Sequence, residues 1–312
     1  MAEIDHALGL ALDWLNHAVA ADGCWPSQRV PGPPDDPVGS AIDERTPFVT
    51  AVGLLALGGL ADPDQTESAA LIDRSRGFLV RTMRAPGLWA YLEGFVPDCD
   101  DTACASMALS GAHPWIASGR NRTLGFAARV PDGRFRTWMA GPRADLDIDA
   151  VVNANMIGWL GDAVECRAAA DFVIAACSGS AREALVFYDH PIDLAQAVAR
   201  AVRRGTDSLR PALRDVSRMA AQVLEDDGAP PLRLAQALDV ADALDMLPLP
   251  VRDRAIALLV REVVTHGYCR SDTIYLGVTP PAPPGCHYRS DALATALTLG
   301  ALARARRRGG GI

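Results

Sequence analysis

Apolar residues recur at intervals of three and four along most of the chain, which is the period of an amphipathic α-helix. Ala and Leu dominate these segments, and both residues favour helix. No run of alternating polar and apolar residues indicates a strand, so the pattern predicts an all-α fold. The predicted helices start near Leu8 and then cover residues 49–60, 69–83, 102–110, 151–160, 167–177, 194–203, 209–224, 232–244, 251–264 and 290–307.

Clusters of Pro and Gly separate the predicted helices, and no shift in composition marks a domain boundary. We therefore expect one domain over residues 1–312, with a disordered Gly-rich C-terminal end. About eleven or twelve helices joined by short loops suggest stacked helical hairpins. A closed ring of such hairpins, an α/α barrel, would bury its inner helices on all sides.

A weak internal repeat accompanies the helices. A glycine is followed two positions later by an aromatic residue, and a looser fourth copy comes near the C-terminus. We expect the glycine to end one helix and the aromatic ring to fill the gap to the next hairpin. The copies are Gly23-Cys24-Trp25, Gly87-Leu88-Trp89, Gly133-Arg134-Phe135 and Gly267-Tyr268.

Composition excludes several classes of function. The 312 residues are 49% hydrophobic and carry a net charge of −8, with arginine as the only basic residue besides histidine. An acidic chain without a basic stripe argues against nucleic-acid binding. Seven scattered cysteines, with no Cys-x-x-Cys pair, indicate free buried thiols in a reducing cytosol. We find no signal peptide and no transmembrane run, and expect a cytoplasmic protein.

The segment Asp98-Cys99-Asp100-Asp101-Thr102-Ala103 places three carboxylates at the start of an apolar helix. Unpaired charge is expensive in a buried place. Crowded carboxylates there do not all ionise readily, so at least one should keep its proton near neutral pH and act as a Brønsted acid. The alternative is a helix N-terminus in which Asp98 caps and Asp101 interacts with the helix dipole.

This segment resembles the Asp-x-Asp-Asp motif of class II terpene cyclases, which include squalene-hopene cyclases and copalyl diphosphate synthases. The glycine–aromatic elements look like degenerate versions of the repeats of that family. The chain is also similar to bacterial prenyltransferase and squalene-oxidase-repeat proteins. The resemblance implies an all-α fold, the six-hairpin α/α barrel of the terpenoid cyclase toroid. Class II cyclases usually add a second barrel, whereas this chain has room for only one. Either a half-open pocket suffices, or a homodimer or a partner domain closes the single barrel, or the chemistry has changed.

The resemblance also implies a reaction. Asp100 matches the proton donor of the family, which protonates a terminal alkene or epoxide and starts a carbocation cyclisation. Asp98 and Asp101 would position Asp100 and raise the energy of its ionised form. The expected partner is a small, apolar isoprenoid or another alkene-bearing substrate.

A second acidic group, Asp145, Asp147 and Asp149, precedes the predicted helix that carries Asn153. These carboxylates could bind Mg²⁺ with a diphosphate, since hard oxygen ligands suit that ion. They could also line the cavity opposite Asp100 and accept a final proton, or simply form a solvated loop with an N-cap. Asp147 and Asn153 are candidate substrate contacts. No His or Cys pattern predicts a protein-bound metal, so Mg²⁺ is expected only if the substrate carries a diphosphate.

A carbocation needs aromatic faces and a dry cavity. Aromatic residues make up only 6% of the chain, which is modest for a polycyclising enzyme. The aromatic residues proposed for substrate binding are Trp89, Tyr91, Trp138, Tyr188 and Tyr288. Phe187 and Tyr275 are two further candidates for the aromatic lining.

Two other functions fit the same residues. One is an acid–base enzyme repurposed for a polar secondary metabolite, which a polar cavity would favour. The other is a non-catalytic barrel that binds a lipid or a protein, with the acidic segment kept as a helix cap. The second predicts that loss of Asp100 costs stability, about 1 kcal/mol as for a lost cap.

Overall fold

The computed structural model describes residues 1–58, 66–117, 119–141, 147–179, 184–244, 249–278 and 283–309. These residues form twelve α-helices and a small antiparallel sheet. The helices are α1 Ala2–Ala18, α2 Pro47–Leu57, α3 Thr66–Thr82, α4 Cys99–Leu109, α5 Gly119–Ala127, α6 Ala150–Leu160, α7 Arg167–Ser178, α8 Pro191–Arg203, α9 Leu213–Glu225, α10 Pro231–Leu244, α11 Leu249–His266 and α12 Asp291–Gly309. The strands are β1 Pro26–Pro31, β2 Ile42–Arg45, β3 Tyr275–Gly277 and β4 Cys286–Arg289.

The even-numbered helices pack in a circuit. Helix α2 contacts α4, α4 contacts α6, α6 contacts α8, α8 contacts α10, α10 contacts α12, and α12 contacts α2 again. All eleven residues of α6 are buried, and most of α2 and α4 is as well. A helix without a polar face is expected where neighbours surround it.

Odd-numbered helices such as α1 and α9 each bury one apolar face against this circuit, whereas α5 buries only Asn121 and Gly125. In α1 the buried residues Ala7, Ala11 and Leu15 lie four positions apart, and this face packs on α11 and α12. Helix α9 likewise packs on α8 and α10 through an apolar stripe that includes Val216, Ala220 and Val223. These helices therefore cover the circuit and shield it from water.

The glycine–aromatic repeat is a packing device. The backbone N–H two residues after each repeat glycine donates a hydrogen bond of 2.8–3.1 Å to a side-chain oxygen of the next even-numbered helix. The donors Trp25, Trp89, Phe135 and Cys269 are all fully buried. Their acceptors are Thr50, Thr102, Asn153 and Thr295, respectively. The repeat thus fastens each connection to the first turns of an even-numbered helix. The expectation that the glycine ends a helix holds only for Gly267, which directly follows α11, whereas Gly23, Gly87 and Gly133 lie five or six residues beyond α1, α3 and α5.

The prediction of an all-α fold misses the sheet. Its strand order is β2-β1-β4-β3, and β1 pairs with β4 so that Gln28 lies opposite Arg289. The strands span only three to six residues, so none produces a readable alternation. In the pairing of β3 with β4, Tyr275 lies opposite Tyr288. The sheet therefore brings together two rings that are distant from the acidic helix in sequence.

Two helical segments also differ from the prediction. Helix α5 was not expected, and the predicted helix 209–224 is divided. Its first part is a 3₁₀ turn, Asp207–Ala212, which contains Pro211. Asp145 and the Gly-rich end at 310–312 lie outside the described residues. No helix in the described ranges combines the length and apolar character needed to cross a membrane.

Candidate active site

A cavity of about 60 Å³ lies at the N-terminal ends of α2, α4 and α6, beside β3 and β4. Its walls combine the acidic segment with aromatic rings from loops and strands. The lining residues are Phe48, Tyr91, Asp98, Asp100, Asp101, Thr137, Trp138, Val152, Phe187, Tyr188, Tyr275, Leu276 and Tyr288. Among the predicted site residues, the three acidic residues therefore share one cavity with Tyr91, Trp138, Tyr188 and Tyr288.

Asp98 caps α4, and its carboxyl interacts with that of Asp101. Oδ1 of Asp98 accepts a 2.7 Å hydrogen bond from the backbone N–H of Asp101. Burial raises the pKa of both carboxyls, and a side-chain hydrogen bond joins them. Two carboxyl groups form such a bond only when one is protonated. The bond lowers the pKa of Asp98 and raises that of Asp101.

Asp100 has hydrogen-bond partners different from those of this pair. Its Oδ1 accepts a 2.7 Å hydrogen bond from Nδ2 of Asn155, and its Oδ2 accepts one from the hydroxyl of Tyr188. Asp100 is 7% exposed, compared with 2% for Asp98 and 3% for Asp101. Burial raises the pKa of Asp100, while Tyr188, Asn155 and the charge of Arg200 oppose the rise. Asp100 is therefore the most exposed of the three residues, and its anion is stabilised by side chains from other parts of the chain.

Arg200 orients this arrangement from α8. Its Nη1 donates to Oδ1 of Asn155 at 3.0 Å, so the amide group of Asn155 turns its Nδ2 towards Asp100. Sequence reasoning missed both residues as partners of the acid. The available signal was that Asn155 follows Asn153 inside an otherwise apolar helix.

Asp149 is a cap and an anchor. Its Oδ1 accepts from the backbone N–H groups of Val151 and Val152, and its Oδ2 accepts from those of Val186 and Phe187 at 2.6 and 2.9 Å. Burial raises the pKa of Asp149 to about 6. Because both oxygens are engaged by N–H donors, Asp149 does not present a free metal ligand. It instead fixes the segment that carries Tyr188.

Three aromatic hydroxyl residues form one wall. The rings of Tyr275 and Tyr288 stack with centroids 4.6 Å apart, and Tyr91 meets them edge-on at 5.8 and 5.5 Å. On another side, Trp138 meets Phe187 edge-on at 6.0 Å. Ring faces attract cations, and such a wall contributes more when water is excluded.

The other three predicted substrate contacts are not brought to this cavity. Trp89 is fully buried, and its Nε1 donates to the carbonyl of Leu79 at 2.8 Å. Asn153 uses both ends of its amide on backbone groups of Phe135 and Asp149. Asp147 is buried, and its carbonyl accepts from the N–H of Thr137. The described residues contain no cluster of three or more His, Cys, Asp or Glu suited to a metal ion.

The fold is similar to that of known terpene cyclase structures. The type II terpene cyclase MstE from Scytonema, without ligand, has 16% identity and a TM-score of 0.71 over 98% of this chain and 99% of that chain. A variant of MstE in complex with geranylgeranyl dihydroxybenzoate as substrate has 16% identity and a TM-score of 0.72 over 98% of both chains. A protein from Actinoplanes has 17% identity and a TM-score of 0.71 over 97% of this chain and 99% of that chain.

No protein-family model and no curated protein sequence matches the chain. At these identities the similarity establishes a relationship of fold. The class that the fold defines is therefore a helical protein of terpene cyclase-like architecture.

Proposed function

We propose that the protein is a class II terpene cyclase-like enzyme in which Asp100 protonates an isoprenoid or another alkene-bearing substrate. One observation carries this proposal. The carboxyl of Asp100 is buried with a raised pKa, it is the most open of the three acidic side chains, and aromatic rings line the cavity it faces. A carboxyl that still holds its proton near neutral pH, beside ring faces that attract a cation, is what protonation of an alkene requires.

The contacts of Asp100 suit the acid after it has lost its proton. Proton transfer to a C=C bond forms a new C–H bond and leaves a carbocation and a carboxylate. Asn155 and Tyr188 already donate hydrogen bonds to that carboxylate, and donors to the charged form favour it. Because the two donors are fixed before the reaction, they stabilise the developing charge without reorganisation.

The pair of Asp98 and Asp101 would tune this acid. Burial and the neighbouring carboxyls raise the pKa of both members of the pair, and Asp98, with a pKa of about 7, carries part of a negative charge near neutral pH. That charge opposes ionisation of Asp100 and therefore helps to keep it protonated until the substrate is in place. The cap formed by Asp98 is compatible with this role, since it uses Oδ1 towards the backbone.

The architecture that we infer is an α/α barrel of the terpenoid cyclase toroid type. The closed circuit of the even-numbered helices, covered by the odd-numbered ones, supports it. The chain and MstE cover nearly all of each other, which supports a single barrel domain as the working unit.

The size and lining of the cavity constrain the substrate. An engineered cavity of about 150 Å³ holds benzene, whereas this cavity is about 60 Å³. An isoprenoid of about ten carbons or more is therefore too large for this cavity. Its binding requires the aromatic walls to move apart. The aromatic lining favours an alkene over a polar metabolite.

The engaged oxygens of Asp149 do not fit a Mg²⁺ site, so we derive no step through that ion. If the substrate carries a diphosphate, Mg²⁺ would act with the substrate at another place. Comparing turnover with and without Mg²⁺ separates the diphosphate substrates from the others.

The test is incubation of the purified protein with epoxidised, diphosphate-bearing and arene-linked isoprenoids of several lengths, followed by mass spectrometry. The arene-linked class is included because MstE binds such a substrate. Asp100→Asn is the variant, since it keeps the size and polarity of the side chain. We expect a cyclised product from the wild type and a loss of at least a thousandfold in the variant, the order expected for a general acid of this kind.

A non-catalytic barrel is the second candidate, favoured by the small cavity. It predicts that the acidic segment serves only the fold. Asp100 does not cap α4, because the cap is Asp98. No turnover on any of these substrates by a folded wild type would favour this candidate, whereas full activity of the Asp100→Asn protein would contradict only the role given to Asp100.

A further inference from the structure

A chain of hydroxyl and carboxyl groups leads out of the cavity on the side of the tyrosine wall. The hydroxyl of Tyr275 donates to the hydroxyl oxygen of Tyr91 at 3.0 Å, and the hydroxyl of Tyr91 donates to Oε2 of Glu44 at 2.8 Å. Tyr275 and Tyr91 line the same cavity as Asp100. In this series of hydrogen bonds, both tyrosine hydroxyls donate in the direction that leads from the cavity to Glu44.

Glu44 connects the chain to the exterior. It lies on β2 and lines an open groove of about 750 Å³, which also borders Arg84 and the exposed Glu93. The side chain of Glu44 is 8% exposed, and its Oε1 accepts a 2.7 Å hydrogen bond from Nε of Arg29. The carboxylate of Glu44, which is paired with Arg29, therefore lies between the tyrosine wall and solvent. Asp100 lies on a different element, helix α4.

We propose that Tyr275, Tyr91 and Glu44 form the relay that removes the final proton from the carbocation. This inference rests on the proposed function, because it supplies the second half of that reaction. A carbocation ends as an alkene when a neighbouring C–H bond breaks and its electron pair forms the C=C bond. The released proton needs an acceptor, and Asp100 has just donated one from its own position.

The balance of the step follows from the donor directions. The oxygen of Tyr275 accepts the proton from the substrate and passes its own proton to the oxygen of Tyr91. Tyr91 passes its proton to Oε2 of Glu44, which becomes neutral. Both tyrosines end the step neutral, and water in the outer groove takes the proton from Glu44. Burial raises the pKa of both tyrosines, so neither is a free base and the carboxylate at the end of the relay is required.

The experiment compares Glu44→Gln and Tyr275→Phe with the wild type in turnover number and product pattern. Both replacements preserve shape, and thermal unfolding establishes that each variant is folded. Glu93→Gln, in the same groove, is the matched control. We expect at least a tenfold fall in kcat for the two relay variants and a new set of products from the longer-lived cation, with the control unchanged.

A relay in series has a further signature. The double variant should be no slower than the slower single variant, because either change already interrupts the same path. If Glu44→Gln does not fold, Tyr275→Phe and Tyr91→Phe carry the test alone.

The outcomes separate this inference from the function on which it rests. Active wild type, inactive Asp100→Asn, and relay variants with unchanged rate and products would overturn the relay alone. A purely structural role of Glu44 would lower stability without changing which product forms, and that result would overturn it too. A wild type that converts no alkene would overturn both proposals together.

Discussion

Asp100 differs from its two neighbours in what its carboxyl contacts. Asp98 and Asp101 are occupied with the backbone and with each other, whereas Asp100 bonds to side chains of two other elements. Within four residues, Asp98 and Asp101 therefore support the start of the helix, while Asp100 is left for acid chemistry. This arrangement also explains how a helix cap and a proton donor coexist in one segment.

Tyr188→Phe tests the support given to the anion of Asp100. The change removes one donor and leaves the ring in the cavity wall, so the pKa of Asp100 should rise and the acid should become weaker. A hydrogen bond to a charged group is worth about 1.5–3 kcal/mol, so turnover should fall about tenfold or more. Steady-state kinetics on a converted substrate is the measurement.

Tyr288→Phe is the matched control for that variant. Tyr288 lines the same cavity, and within the described chain no hydrogen bond joins it to Asp100. We expect its turnover to stay within about twofold of the wild type, a difference far below one hydrogen bond in free energy. Equal losses in the two tyrosine variants would contradict the role given to Tyr188.

At the scale of elements, the repeat glycines hold the connections against the helices. Gly23 has a φ of +88°, and a Cβ built there would lie 2.0 Å from the carbonyl oxygen of Arg74. Gly94 has nearly the same φ, +87°, with no atom within 4 Å of a built Cβ. The two positions thus have nearly the same φ and differ in their surroundings.

Gly23→Ala and Gly94→Ala should therefore separate conformational cost from packing cost. Both changes place a side chain in the left-handed region, at about 1–2 kcal/mol. Only Gly23→Ala also forces atoms apart, which adds about 1–3 kcal/mol. Urea denaturation should show the larger loss in unfolding free energy at Gly23, and equal losses would contradict the packing role.

The sequence predicts best the elements whose apolar periodicity extends over several helical turns. Of the twelve helices in the described residues, all but α5 overlap a segment predicted from apolar residues at helical spacing, although α9 is shorter than predicted. Strand β3 has only three residues and pairs with β4 across a loop, so local pattern carries no trace of it. Helix α5 lacks an apolar stripe, since only Asn121 and Gly125 are buried there, and periodicity does not reveal it.

The candidate site divides in the same way. The acidic segment is contiguous, and its place at the start of a buried helix is readable from the sequence. Arg200 and Glu44 become visible only when the fold sets α8 beside α6 and β2 beside Tyr91. Trp89 and Asn153 take part in the hydrogen bonds that join the repeat to the even-numbered helices. Trp89 corresponds to Trp25 as a donor, and Asn153 corresponds to Thr50 as an acceptor, which only the hydrogen-bond pattern of the structure reveals.

At the scale of the whole molecule, buried carboxyls make stability depend on pH. Burial raises the pKa of Asp193 to about 7, with Arg233 and Gln236 opposing the rise and Asp189 and Asp272 adding to it. A carboxyl with a raised pKa binds its proton more tightly in the folded state. Its contribution to stability is complete below the unfolded pKa, near 4, and is lost as pH rises towards 7.

We therefore expect the unfolding free energy to decrease between about pH 4 and pH 7, at about 1.4 kcal/mol per unit of pKa shift for each such group. Asp193→Asn should flatten this slope, because the residue no longer titrates. Its Oδ1 position can keep the contacts to Arg233 and Gln236, and Oδ2 has no hydrogen-bond partner among the described residues. Chemical denaturation at several pH values measures the slope, and an unchanged slope in the variant would contradict the assignment.

The central claim is that the proton of Asp100 becomes a C–H bond of the product. Turnover in D₂O tests it most directly, because the carboxyl of Asp100 exchanges its proton with solvent before each cycle. The account predicts that the product gains one non-exchangeable deuterium at the carbon that was protonated, and that Asp100→Asn forms no labelled product. A cyclised product without deuterium, or equal labelling by the variant, would contradict it.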